Sequence, residues 1–147
     1  MAGSGAAKTA GELIVESYEL AASRCDDLTP LVYDRLFAVK PETRSLFRTD
    51  PKNFIKRSML ELSLEAVLDF AGEKKASHRL IFCEVQSHYA YGTQPEIFTV
   101  FFVVMRDVVR DLLGADWTAE IDAAWDVTLK GLDDYVNKAI AAMRPAA

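Results

Sequence analysis

The fold of this chain is decided by the stretch His88-Tyr89-Ala90-Tyr91-Gly92-Thr93-Gln94-Pro95-Glu96. Ahead of it, Arg79–His88 has helical spacing, with Ser77 or a neighbour as its start, and Gly92 to Pro95 breaks that helix. Pro95 opens the next helix, where Glu96 suits the positive end of the dipole. The run that follows, Ile97–Met105 (IFTVFFVVM), is the longest apolar stretch and falls far short of the ~20 residues that span a bilayer. Its β-branched and aromatic side chains would also suit a buried strand. Val108, Val109, Leu112 and Leu113, however, continue a 3.6-residue period up to Gly114, and no second strand exists to pair with it. It is read as a fully buried helix.

The same signals recur outward from this centre. Thr9 can cap a helix carrying Leu13, Ile14, Tyr18, Leu20 and Ala21. Thr29-Pro30 restarts a helix with Pro at its first position, and Lys40-Pro41 stops it. Pro41-Glu42 opens a short helical turn ending at Leu46-Phe47, and Arg48–Asn53 (RTDPKN) is a polar loop. Phe54–Ala71 is a long amphipathic helix closed by Gly72. Glu73–Ser77 is charged and exposed, and His78 behind it faces solvent. Asp116-Trp117-Thr118 caps a last helix from Ala119 to about Met143. The expectation is an all-α domain of six to eight helices over residues 10–144, behind a disordered lead at 1–9.

Composition narrows the function classes. The 147 residues carry 17 Lys and Arg against 22 Asp and Glu, a net charge of −5, which argues against nucleic-acid and anionic-membrane partners. Cys25 and Cys83 form no CxxC or CxxCH motif, which leaves zinc ribbons, thioredoxin-like sites and covalent haem attachment unsupported; two free buried thiols are expected. No signal peptide precedes the first helix, so a soluble cytoplasmic protein is expected. No Walker loop, HExxH or GxSxG occurs. Asp26-Asp27 and Asp133-Asp134 read as solvated helix ends.

Three segments carry a family likeness. Tyr33-Asp34-Arg35-Leu36-Phe37, Pro41-Glu42 and Leu46-Phe47 resemble the second-helix-to-corner segment of bacterial globins and of the globin domain of flavohaemoglobins. His88–Glu96 resembles that family's proximal segment, His-x-x-Tyr-Gly-x-x-Pro-Glu. Leu113-Gly114-Ala115-Asp116-Trp117-Thr118-Ala119-Glu120 with Ala124-Trp125 resembles the entry to its last helix. The likeness spans about residues 12–140. It implies a globin fold, a three-over-three helical sandwich, holding haem b (iron protoporphyrin IX).

By this resemblance His88 is the haem-iron ligand, Phe47 packs on the haem face, and Tyr33 is the distal hydrogen-bond donor and the catalytic candidate. Leu60, 28 residues before His88, matches the apolar residue above the iron. Lys56, four residues earlier, stands where relatives carry Gln or His, and its ammonium is expected at the pocket rim. Ser87 or the carbonyl of Glu84 could hold the second ring nitrogen of His88. The Glu84 side chain is expected to turn toward solvent or a basic partner, because an unpaired buried carboxylate is costly. Phe98 stands where flavohaemoglobins carry a tyrosine. The implied ligands are O2, NO or CO, with NO dioxygenation through a separate reductase and a homodimer among the expectations. The alternative is a haem-free globin-fold sensor or partner-binding module.

Overall fold

The hydrophobic period along the chain resolves into helices throughout. The structure is a computed structural model; it describes residues 7–72, 77–90, 92–94 and 96–143, without the side chains of 77–82. Six α-helices result: α1 (Ala10–Arg24), α2 (Thr29–Val39), α3 (Phe54–Ala71), α4 (Ser77–Ala90), α5 (Ile97–Leu113) and α6 (Ala119–Met143). Three 3₁₀ segments, Pro41–Phe47, Pro51–Asn53 and Gly114–Asp116, complete the described residues, among which there is no strand. Most of the lead, the charged stretch 73–76, the side chain of His78, and Pro95 lie outside the described residues.

Local chemistry explains the helix starts. Thr9 and Glu12 form a reciprocal capping box, with the Glu12 amide 3.1 Å from Thr9 Oγ1. Asp27 Oδ1 accepts from the Thr29 amide at 3.0 Å, so α2 begins at Thr29 and Pro30 takes the second position rather than the first. Thr118 Oγ1 accepts from the Ile121 amide at 3.2 Å at the start of α6. The segment before α3 departs most from expectation. Lys52 and Asn53 both sit in the left-handed region, at φ 60° and 59°. Asp50 reaches over them, its Oδ1 accepting from the Ile55 amide at 2.7 Å and its Oδ2 from the Lys56 amide at 3.1 Å.

The core is a seam between α1, α5 and α6, with α3 and α4 laid against α6 and α2 against α5. Trp125 is fully buried there, and its indole N–H donates to Ser17 Oγ at 2.9 Å. Gly131 allows α3 its close approach to α6, since a Cβ at that position would stand 2.5 Å from Phe70 Cε1. Arg24 donates to the carbonyls of Leu112 and Leu113, at 2.7 and 2.9 Å, and pairs with Asp116; Arg35 pairs with Asp111. These ties fix α1 and α2 against the end of α5. The apolar run of α5 is helical, as its period required, but not buried all round. Val103 is 39% exposed because a helix at the edge of a layer always turns one stripe outward. Cys25 is half-buried and Cys83 exposed, both free thiols, so burial of both does not hold. No helix among the described residues is long and apolar enough to cross a membrane.

Candidate functional site

Where α2, the Pro41–Phe47 segment, α3, α4 and α5 face one another, packing stops short and a cavity of about 570 Å³ remains. That volume lies within the ~300–1,000 Å³ common for cofactor sites. Leu36, Leu46 and Phe47 form one side, Ile55, Met59 and Ser63 the second, and Ile97, Phe98, Phe101 and Phe102 the third, with His88, Thr43 and Thr93 between them. Two of the three wall hydroxyls are committed to backbone: Ser63 Oγ donates to the Met59 carbonyl and Thr43 Oγ1 to the Lys40 carbonyl, each at 2.7 Å.

His88 sits in the last turn of α4. Beyond it the chain unwinds through Gly92, at φ 90°, with the Thr93 amide returning to the His88 carbonyl at 2.9 Å. Its Nδ1 lies 2.8 Å from the Glu84 carbonyl, and a carbonyl can only accept, so Nδ1 carries the proton and Nε2 keeps a free lone pair. Of the two partners open to that ring, the structure selects Glu84 over Ser87. The ring is steadied by the edge of Phe98, 5.1 Å away at an interplanar angle of 85°. The Glu84 carboxylate is 41% exposed, turned toward solvent as expected, with Oε2 3.6 Å from Nδ1 of the ring.

The other expected site residues divide. Phe47 is on the cavity wall, edge-to-face with Tyr33 at 5.2 Å. Tyr33 is 2% exposed and stands behind Phe47 and Phe101, with its hydroxyl donating to the Lys56 carbonyl at 3.0 Å. Burial, and then the Asp50 carboxylate, push this phenol's pKa well above its ordinary value, so it remains a donor. Leu60 is buried in the core rather than on the wall. Lys56 reaches outward, its Nζ 3.1 Å from Asn53 Oδ1 and 5.8 Å from the Phe47 ring centroid.

On α3 the wall is thus Ile55, Met59 and Ser63, one residue ahead of the Lys56–Leu60 register. One residue is about 100° of helix rotation, enough to exchange core for cavity. The Asp50 cap and the two left-handed residues set that phase. The signal that sequence reasoning missed was the four-residue spacing of Ile55, Met59 and Ser63, beside a lysine that solvent claims.

Chemically, the site offers one basic nitrogen in an apolar slot edged with aromatic rings. Among the described residues no group of three His, Cys, Asp or Glu side chains could hold a bare metal ion. A single histidine beside an apolar slot suits a cofactor that supplies a metal's other ligands itself. The donor set fits haem. No curated protein and no solved structure matches the chain. The sequence profile of the globin family matches residues 30–136, from α2 through most of α6. With six helices in this arrangement around a histidine-bearing cavity, the chain belongs to the globin family and has its all-α fold.

Proposed function

We propose that this globin holds haem b in the cavity beneath α3 and binds a small diatomic ligand there, with His88 as the residue that would hold its iron. The observation that carries the proposal is the His88 ring: its Nδ1 is committed to the Glu84 carbonyl at 2.8 Å, and the ring borders the 570 Å³ apolar cavity. When bound, haem supplies an iron centre that takes O2, NO or CO. The chain's part is to orient and to exclude water. Phe47, Phe98 and Phe101 would pack against a planar group there, and Ile55 and Met59 would give it further apolar contact. The Lys56 ammonium is placed to meet a carboxylate at the rim.

Tyr33 reaches a ligand only by giving up the Lys56 carbonyl. With that bond made, the ligand side offers no donor from Tyr33, Ser63 or Thr43, which favours NO and CO over O2. With it broken, the phenol becomes the distal donor, and conversion of NO with O2 to nitrate follows if a separate protein supplies electrons. The likeness of His88–Glu96 to flavohaemoglobins supports this second use.

Haemin titration tests the assignment. The protein should develop an intense Soret band and, once reduced, bind CO. His88→Ala should weaken haem affinity by at least a hundredfold, about 2.7 kcal/mol, while helical circular dichroism is kept. Absence of haem uptake, or equal affinity in the variant, would overturn it in favour of a haem-free module.

A further inference from the structure

The chain is acidic as a whole, yet its charge is sharply divided. Residues 40–57 hold six cations (Lys40, Arg44, Arg48, Lys52, Lys56 and Arg57) against Glu42 and Asp50, whereas the other 129 residues hold eleven cations and twenty anions. This segment frames the mouth of the cavity: Phe47 and Ile55 line it, and Lys40 borders a second hollow that shares Thr43 and Leu46 with it. Asp50 spends both carboxylate oxygens on the amides of Ile55 and Lys56. Arg57 is paired with Asp27 at 3.3 Å, while Lys40, Arg48 and Lys52 have no ion-pair partner among the described residues. Between the cations stand exposed apolar side chains: Leu46 at 50%, Ile55 at 47% and Phe54 at 73%.

Apolar anchors inside a charged rim are the anatomy of a protein interface. Haem carries two propionates and would occupy at most two of the six cations, so the collar holds more positive charge than a cofactor needs. Two adjacent left-handed residues without glycine, Lys52 and Asn53, hold the collar in a costly conformation. We infer that this collar is the docking face of a small acidic protein that delivers single electrons to the cavity, a conclusion that rests on the haem assignment above.

The step served is a one-electron transfer. Haem held at His88 would take up the one electron that the donor's reduced centre gives up, with no bond made and no proton moved. A protein fits better than an anionic bilayer. A small partner covers the collar alone, whereas a wide flat surface would also confront the acidic remainder of the chain. Charge at the rim sets association rate and salt dependence, and the exposed Phe54 gives the contact its short-range hold.

The probe is a reduced plant-type [2Fe–2S] ferredoxin, a strongly acidic protein, mixed with haem-loaded protein and with haem-free protein at low and high salt. Binding should weaken steeply with salt. Arg48→Glu/Lys52→Glu should lower affinity and the electron-transfer rate at least tenfold, Phe54→Ala several-fold, and Lys8→Glu, just before α1 where its Nζ pairs with Glu16, neither. No ferredoxin binding at low salt, or equal binding by the double variant and the parent, overturns the docking face. Binding to phosphatidylglycerol vesicles in place of ferredoxin, lost in the double variant, overturns it in favour of a membrane surface. Ferredoxin binding by a protein that takes up no haem leaves the docking face standing and overturns the haem assignment instead.

Discussion

Along the seam of α1, α5 and α6, and around the cavity under α3, the chain uses much the same residues and reaches opposite ends. In the seam Trp125 is fully buried, its N–H donates to Ser17 Oγ, and Ser17 in turn donates to the Ile14 carbonyl at 2.8 Å. Every polar atom of that chain has a partner, and the space is filled. Around the cavity the hydroxyls of Ser63 and Thr43 bond back to their own segments, Tyr33 bonds to α3, and one nitrogen of His88 is left over. The difference teaches where this fold leaves room for a ligand. It is where close packing stops beside a histidine.

The comparison can be broken first at its filled end. Trp125→Ala should cost about 3–5 kcal/mol by denaturant unfolding, because the indole leaves a large hole and Ser17 Oγ loses the N–H that it accepts. A loss near 1 kcal/mol would show the seam to be far less filled than its burial implies.

The next test sets neighbours on α3 against each other. Leu60→Ala removes core and should cost about 2–5 kcal/mol of stability with little effect on ligand kinetics. Met59→Ala faces the cavity; it should cost less than about 2 kcal/mol and instead alter CO rebinding after flash photolysis. Reversal of the two outcomes would restore the register in which Lys56 and Leu60 are the wall.

A finer test is Tyr33→Phe. Loss of the bond to the Lys56 carbonyl should destabilise the protein by about 1 kcal/mol. If the hydroxyl stays on that carbonyl, O2 dissociation from the haem-loaded protein should not change. An off-rate ten- to hundredfold faster, equivalent to ~1.4–2.8 kcal/mol, would mean that Tyr33 turns to the ligand.

The smallest effect belongs to Asp27, outside both regions. Hydrogen bonds from Thr29, and then the Arg57 guanidinium, hold its carboxyl below the usual value. A lowered folded pKa favours the folded state fully above the ordinary carboxylate value, and this is lost as pH falls through the lowered one. Asp27→Asn should therefore cost under about 1 kcal/mol at neutral pH and flatten the acid limb of the stability profile. An unchanged acid limb would show the carboxylate to be screened by solvent.

The expectations that held are those resting on neighbours in sequence. Thr9 and Thr118 cap because hydroxyls lie within reach of amides three residues on. Gly72 ends α3, and the turn after His88 needs the left-handed Gly92. The cavity wall brings together His88, from the motif His88–Glu96, and Phe47, from the corner ending at Leu46-Phe47.

What was not legible depends on distance. The phase of α3 hangs on Asp50, whose carboxylate reaches past Lys52 and Asn53, and a helix period reads the same for any starting angle. Tyr33 was expected at the ligand, yet Lys56, 23 residues away, supplies a carbonyl that only folding brings within 3.0 Å.

From sequence alone came the helices and their ends, since propensity, capping and hydrophobic period act over a few residues. Tertiary structure decided which side chains face the cavity, which nitrogen of His88 is free and where the basic collar opens. Those depend on the rotation of one packed helix against others, and a rotation of one residue changes every answer.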